Sequence, residues 1–491
     1  MTRATALIGA CVAGTVINEH SARLIPKARS MVAILVAVAA VLGGAACRHS
    51  GSEPARGPAD VLLITVDTLR ADHMSLYGYE RPTTPHLDRW FGDGAIYERA
   101  YSTEANTSPS LVSVLSGLLP QDHGVRLLYQ LLPTATRVLP ELLPDRYETA
   151  AIVSNMVLTD EAIGLADRFD FYDDFVDERE SSRAVYERNA ARTTDAALRW
   201  LAARAESERP VFLWVHYIDP HGPYRPPTDW PRSFTHDVAR TIDIDRVPLY
   251  QRERGVTDGL TYVDRYDEEI AYTDAEVGRL LDRFAVLRSI DDTLVVFTAD
   301  HGESMMEHER WFTHGYHVYD EIVRVPLMLR GPGMERGRRT EPASGIDIAP
   351  TILRFLGETP PPTMPPVDLR DGMGLTPTRP IFAEATWGGK KQWRAAVTRD
   401  EKWMTQVWAP SRATMQQRRY DLVGDPGELS AQAWDPDAPA PRQLVELSRT
   451  DPDPAGRPAE YAKGLLLTAP KVAPRVSAEA RERLKSLGYV E

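Results

Sequence analysis

The chain has 491 residues, enough for a large core and for either one big α/β domain with an appendage or two to three smaller domains. Its 57 basic and 70 acidic residues give a formal charge of −13, which argues against nucleic acid as the main partner. The two cysteines, Cys11 and Cys47, both precede the body of the chain, which excludes a disulfide scaffold or a cysteine-based zinc site there.

Residues 31 to 46, MVAILVAVAAVLGGAA, form an uncharged apolar run behind Arg23, Lys27 and Arg29. The run is short for a membrane span but has the length and positive flank of a signal-peptide core, so export to a periplasmic or extracellular space is expected. It ends at Gly44-Ala45-Ala46-Cys47, which resembles a bacterial lipoprotein cleavage site with Gly44 where leucine is usual. A lipid anchor on Cys47, plain secretion and an uncleaved anchor are the alternatives, and the membrane is expected to enter only through this N-terminal device. The thirty residues before Met31 are long for such a signal, so Met1 need not be the natural start. Residues 1 to 47 are thus read as an export segment, and 48 to 59, RHSGSEPARGPA, as a flexible polar tether.

The body opens with Val61-Leu62-Leu63-Ile64-Thr65-Val66, a continuous apolar run of the kind buried on both faces of a parallel sheet, and it stops at Asp67. Ser108 followed by Pro109 reads as a helix cap and first helical residue, with Leu111, Val112, Leu115, Leu118 and Leu119 at helical spacing. Thr107 then sits just ahead of a helix N-terminus, where backbone N–H groups and the dipole favour an anion. Ala150 to Val153 ends at Ser154-Asn155; Val211 to Val215 leads to His216, Asp219 and His221; Leu294 to Phe297 leads to Asp300 and His301. Between these runs, residues 262 to 287 place Ile270, Val277, Leu280, Leu281, Phe284 and Leu287 on one helical face.

Strands alternating with helices predict the α/β class, a mainly parallel sheet sandwiched by helices. Ligands of such sheets bind beyond the carboxyl ends of the strands, where Asp67, His216, Asp219, His221, Asp300 and His301 fall. A further helix is expected at 347 to 356, a Pro-rich link at 360 to 366, a β-containing unit at 378 to 424 and a terminal helix at 477 to 487. The boundaries drawn are a catalytic α/β domain at 60 to 358 and a smaller C-terminal α+β subdomain at 359 to 491.

Asp67, Asp300, His301 and the Thr107 hydroxyl make a sensible site for a divalent cation: the carboxylates bring charge, the imidazole brings nitrogen, and the metal activates the hydroxyl. A mixed oxygen and nitrogen shell favours zinc or manganese, with calcium the alternative.

These residues lie in ordered motifs: Val66-Asp67-Thr68-Leu69-Arg70-Ala71-Asp72-His73 with Tyr77-Gly78-Tyr79, Thr107-Ser108-Pro109-Ser110 to Ser116-Gly117 with His123-Gly124-Val125, Asp219-Pro220-His221-Gly222-Pro223-Tyr224, and Thr298-Ala299-Asp300-His301-Gly302-Glu303-Ser304 with His314-Gly315. Tyr319-Asp320-Glu321, Val325-Pro326-Leu327, Tyr420-Asp421-Leu422, Asp425-Pro426-Gly427-Glu428 and Leu487-Gly488-Tyr489 follow. Together they resemble the sulfatase branch of the alkaline phosphatase superfamily. The resemblance implies metal ligation by Asp67, Asp300 and His301, and places Thr107 at the nucleophile position. His221 and His314 match positions that contact the transferred group, protonate the leaving group or hold a second metal. Arg70, Arg324 and Glu303 are candidates to orient this shell or to form structural ion pairs, while His308 and His317 are expected to be exposed loop histidines.

The chain departs from that pattern in ways that bear on mechanism. Typical sulfatases carry Cys or Ser at the position of Thr107, oxidised to formylglycine, and Arg at that of Leu111. Threonine cannot give an aldehyde, because its Cβ bears a methyl group. Thr68 replaces the second aspartate of the usual pair, and Asn155 lies near a usual lysine. The reading that follows is a metal-dependent hydrolase of a sulfuric or phosphoric ester, phosphodiester favoured, acting through Thr107 without formylglycine. Its substrate would be a small-molecule, glycan or lipid ester. The alternatives are a catalytically silent sulfatase-like binding protein and a phosphoethanolamine-type transferase. Oligomeric state has no signature in the sequence.

Overall fold

The computed structural model describes residues 59–179, 186–387, 391–408, 411–435 and 437–451. The export segment, residues 48–58 of the tether and the helix expected at 477 to 487 lie outside them.

The first apolar run becomes β1 (Val61–Val66), buried at every residue because it runs through the middle of a sheet covered on both faces. The other strands are β2 (Ala95–Tyr101), β3 (Glu148–Val153), β4 (Phe171–Asp173), β5 (Val211–Tyr217), β6 (Leu294–Ala299), β7 (Arg324–Arg330), β8 (Gly337–Arg339) and β9 (Ala343–Ser344). They form a nine-stranded sheet in the order β8-β2-β7-β6-β1-β5-β3-β4, with β9 also on β2. Pairing is parallel except along β7, which runs antiparallel to both β2 and β6. The mainly parallel sheet read from the sequence is therefore the observed one, with one reversed strand. That strand was hidden by Pro326, a poor residue for a sheet interior, and the pairing of β7 with β2 shifts register between Val325 and Leu327 to admit it.

Register decides where the chemistry falls. Val66 at the end of β1 is level with Tyr217 on β5 and with Ala299 on β6, so Asp67, the turn at 218 to 221 and Asp300-His301 leave the sheet side by side.

The helices that flank the sheet include α1 (Pro85–Phe91), α2 (Thr107–Ser116), α3 (Ala190–Ala202), α4 (Gly259–Leu287) and α5 (Ile348–Phe355). Asp258 caps α4 by accepting the Leu260 N–H, and the apolar face foreseen for this helix is buried from Ile270 to Phe284. Asp274 on α4 accepts the His86 and Leu87 N–H groups, closing the open donors at the start of α1. Gly278 permits that close approach, since a Cβ there would come within 2.6 Å of the His86 ring.

Helix α2 corrects the sequence reading in its first turn. Asn106 is the N-cap residue, with extended backbone, and Thr107 is the first helical residue rather than the one ahead of it. Pro109 fits two positions further in because first-turn N–H groups lack helical partners anyway. Ser108 Oγ donates to the Val157 carbonyl instead of capping. Gly117, left-handed at φ 66°, ends the helix, so Leu118 and Leu119 lie beyond it.

A second, antiparallel sheet is built from β10 (Ile381–Trp387), β11 (Lys391–Val397), β12 (Glu401–Trp408) and β13 (Ala413–Asp421), in that order. Helix α6 (Pro439–Thr450) packs Ala440 and Leu444 against Ala396 and Trp403 of this sheet.

Candidate active site

Three strand ends and one helix start converge. Thr107 Oγ1, in the first turn of α2, lies 3.4 Å from Asp67 Oδ2 beyond β1 and 3.4 Å from His301 Nε2 beyond β6. Ser110 Oγ, one turn along α2, donates to the Asp300 carbonyl at 2.6 Å and pins the helix to the end of β6. The sequence thus brings Asp67, Thr107, Asp300 and His301 to one buried point.

Asp300 Oδ1 accepts the Thr68 N–H at 3.1 Å and the His301 N–H at 2.7 Å, which leaves Oδ2 turned inward. Asp67 Oδ1 and Asp300 Oδ2 are both buried without a hydrogen-bond partner. His301 Nδ1 donates to the Gly302 carbonyl at 2.9 Å, so its Nε2 carries the lone pair that faces them. Burial, then the neighbouring His314, lowers His301 to about 3, so the ring is neutral near pH 7. Burial pushes Asp300 well above the carboxylate range and the Asp67 charge adds to the rise. Asp67 is pushed up by burial too, but His216, His221 and His301 outweigh it and hold Asp67 below that range. One atom from each of Asp67, Asp300 and His301 lies within 4.8 Å of the others. Two orphaned carboxylate oxygens and an imidazole lone pair are what a divalent cation would satisfy, so the donor set fits one.

The sequence reading placed His216 at the strand end without a role. In the parallel register Thr65 is level with His216, and Thr65 Oγ1 lies 2.9 Å from its Nδ1 while accepting from Trp214 Nε1. His216 Nε2 then faces Asp67 Oδ2 at 3.6 Å. The signal was the cross-strand pair of polar residues in two otherwise apolar runs. Asn155, beyond β3, donates from Nδ2 to Asp67 Oδ2 at 2.5 Å. Thr68, at φ 52°, is a β-branched residue in left-handed backbone, held there by the Tyr266 hydroxyl on its carbonyl and Asp300 on its N–H.

Two further histidines face this point. His314 has its ring centroid 4.5 Å from that of His301 and 5.3 Å from that of His221, and its Nδ1 donates to Glu303 Oε1 at 3.2 Å. Tyr224 donates to Glu303 Oε2 at 3.2 Å, and Arg70 donates to the Glu303 carbonyl at 3.0 Å, so Glu303 is fixed at both ends. Arg70 otherwise pairs with Asp72 and Glu307, and Arg324 donates to the Glu98 carbonyl, both structural. A cavity of about 250 Å³ opens from here, with Thr107, Asn155, His221 and His314 in its wall.

Other expectations are corrected. Asp219 turns away from this cavity to take the Ala190 N–H at the start of α3, and burial pushes it up to about 7. His308 and His317 are not exposed loop residues. His308 donates through Nδ1 to Glu321 and through Nε2 to the Glu428 carbonyl, and His317 is buried beside Ser304 and Glu321.

The Sulfatase family model matches residues 59–358. The chain belongs to the sulfatase family. It is 28% identical over 268 residues to choline-sulfatase of Rhizobium meliloti (strain 1021), a match that spans half of either chain. It is 24% identical over 442 residues to an arylsulfatase of Clostridium perfringens, covering 76% of this chain and 89% of that one. Among solved structures, one protein in complex with its substrate D-glucosamine-2-N,6-O-disulfate superposes with a TM-score of 0.63 at 18% identity, covering 83% of this chain and all of that one. The phosphonate monoester hydrolase of Agrobacterium radiobacter gives 0.57 at 20% identity, covering 80% and 94%. Leu111, one turn along α2 from Thr107, is buried in the core.

Proposed function

We propose that this sulfatase-family chain is a metal-dependent hydrolase of sulfuric or phosphoric esters, phosphodiesters favoured, with Thr107 Oγ1 as its nucleophile. The observation that carries this is the Thr107 hydroxyl, buried at the start of α2, 3.4 Å from both Asp67 Oδ2 and His301 Nε2, and open to the cavity. Asp67, Asp300 and His301 would hold the cation, zinc or manganese by the mixed donor set. When bound, a divalent cation lowers the pKa of a nearby hydroxyl and offsets charge on the ester oxygens.

The chain's own residues do the rest. Thr107 Oγ1 gives up its proton to solvent and attacks phosphorus or sulfur in line, displacing the alcohol, while the N–H groups opening α2 face the equatorial oxygens. Glu303 fixes the proton of His314 on Nδ1, which leaves Nε2 to carry the proton that the departing alcohol takes up. His221, its ring stacked on Tyr250, stands beside it as a second donor. In the second half water attacks the threonine ester and gives its proton to the same histidine pair, while the bond to Thr107 Oγ1 breaks and Oγ1 takes a proton back from solvent. The favouring of phosphodiesters rests on Leu111 and Asn155, which supply less positive charge than a sulfatase site normally offers.

The test is Thr107→Ala assayed against matched phosphodiester, phosphomonoester and sulfate esters, with mass analysis of the Thr107 peptide after rapid quenching. Turnover should fall by on the order of a thousandfold or more, and the wild-type peptide should carry a phosphate or sulfate adduct. Undiminished turnover in the variant would overturn the nucleophile assignment.

A further inference from the structure

Helix α2 begins without the cap that its sequence supplies. An N-cap side chain normally accepts the N–H of the second or third helical residue. Asn106 holds the N-cap position, yet its side chain takes no N–H of the helix. The third helical residue is Pro109, which has no N–H, so Ser108 carries the donor that a cap would take. The Ser110 N–H bonds the Asn106 carbonyl and opens the helical ladder. The Thr107 and Ser108 N–H groups before it have no acceptor among the described residues. Asn106 and Thr107 both stand in the cavity wall, so the end of the helix is turned to the site.

Glu104 holds the Asn106 side chain away. Asn106 Nδ2 donates to Glu104 Oε2 at 2.9 Å, and the Thr386 N–H donates to Glu104 Oε1 at 2.9 Å. Glu104 is wholly buried, and its backbone bridges to Glu384 in β10, so the carboxyl group is fixed to the second sheet and not to α2. Burial and the Glu384 charge push Glu104 above the carboxylate range, so its acceptor oxygens and not its charge do the holding. At the other end of the amide, Asn106 Oδ1 lies against Gly315, where a Cβ would come within 2.7 Å of it. The amide is thus gripped between Glu104 and the turn that follows His314.

Resting on the hydrolase reading above, we infer that Glu104 is a positioning residue for the transferred group. By withholding Asn106 from Ser108, it leaves two consecutive N–H groups at the start of α2 for the equatorial oxygens of the group that Thr107 attacks. The helix gives up a cap and keeps an anion site.

The experiment compares variants that differ in whether a cap can form. Asn106→Ser and Asn106→Gly both remove the amide, but only the serine hydroxyl can take the Ser108 N–H. The serine variant should be the more stable to heat, with a kcat at least about tenfold below that of the glycine variant. Glu104→Ala frees Asn106 to cap and should lose at least about tenfold in kcat. Adding Asn106→Gly to it should restore most of that loss, which simple damage to the fold would not allow. Glu104→Gln, able to accept from Thr386 and to bond a turned Asn106 amide, should also recover most of what alanine loses. Should alanine at 104 fail to fold, the serine and glycine pair at 106 still decides. Equal kcat in that pair overturns the inference while leaving the hydrolase reading intact. If the wild type turns over no ester, the hydrolase reading fails and calorimetric titration with inorganic phosphate decides. Phosphate bound no more weakly by Asn106→Ser than by Asn106→Gly then overturns the inference.

Discussion

The Asn155 amide donates to Asp67 Oδ2 at 2.5 Å, and the backbone next to Asp67 is Thr68. In the sulfatase pattern a lysine and a second aspartate stand near these two positions, so one positive and one negative charge are missing together. The site keeps its balance with fewer ions. Asn155→Lys alone should therefore add an uncompensated cation beside Asp67 and weaken zinc or manganese binding by about 10- to 100-fold. Combining it with Thr68→Asp should recover much of that loss, since aspartate tolerates the left-handed backbone at 68 better than threonine does. Calorimetric metal titration of the two single variants and the double variant measures the coupling. Equal affinities in the wild type and Asn155→Lys would mean that Asp67 is not a ligand.

Metal should also stabilise the fold. Asp67 Oδ1 and Asp300 Oδ2 are buried without partners, so the metal-free protein confines two carboxylates that a cation would join. A divalent ion at about a hundred times its dissociation constant should add about 2.7 kcal/mol to unfolding free energy. Asp300→Asn should remove most of that gain while making the chelated protein more stable than chelated wild type, because the repulsion goes with the charge. Unfolding monitored with and without chelator separates the two effects. A variant that still gains full stability from metal would place the ion elsewhere.

Much of this architecture was legible because central parallel strands must be apolar throughout. The runs at Val61, Ala150, Val211 and Leu294 could hardly be anything else, and the residues at which they stop are the ones the register sets side by side. What stayed hidden obeyed competing rules. Strand β2 carries Glu98 and Arg99 in its middle, and β7 carries Pro326. The helix start at Thr107 was masked by Ser108 and Pro109, a pair that usually marks the boundary itself. His216 was visible, but its contact with Asp67 depends on a cross-strand neighbour that no local pattern announces. His308 and His317 looked like loop histidines because the Glu428 carbonyl that accepts from His308 comes from a distant segment, and because the turn that brings nearby Glu321 back onto both rings has no local signature.

His123 gives a pH prediction. Its Nδ1 accepts the Val125 N–H at 3.1 Å, so the proton sits on Nε2, toward Ser113 Oγ at 3.0 Å. Burial, with help from Arg126, lowers the ring to about 3 from its ordinary 6.5. Between those values the unfolded chain binds a proton that the folded one refuses. The stability tied to this group is therefore complete above pH 6.5 and is lost as pH falls toward 3. His123→Gln cannot take up that proton. Relative to the variant, wild type should lose about 1.4 kcal/mol per pH unit on acidification through this window. Urea unfolding of both proteins at several pH values measures the difference. Parallel curves would show that His123 titrates normally in the fold.

The last prediction concerns a buried ion cluster that ties the end of α6 to the segment before Thr107. Asp451 Oδ2 pairs with Arg126 Nη2 at 2.8 Å and with the Arg394 guanidinium, and Glu384 pairs with Arg126 at 3.0 Å. All four side chains are almost wholly buried. Through its backbone Glu384 bonds Thr103 and Ala105, while Glu104 accepts from the Asn106 side chain, so the cluster braces the strand that leads into α2. Replacing such a cluster with apolar groups can be neutral, but removing one partner leaves two guanidinium charges facing one carboxylate. Asp451→Ala should therefore destabilise the protein by roughly 3–5 kcal/mol, read as a fall in the urea midpoint. The double variant Asp451→Leu with Arg126→Met should recover part of that loss, because Arg394 keeps Glu384 as its partner. The comparison separates a charge effect from simple loss of packing around α6. If the double variant is as unstable as the sum of its singles, packing and not charge holds this end of the chain.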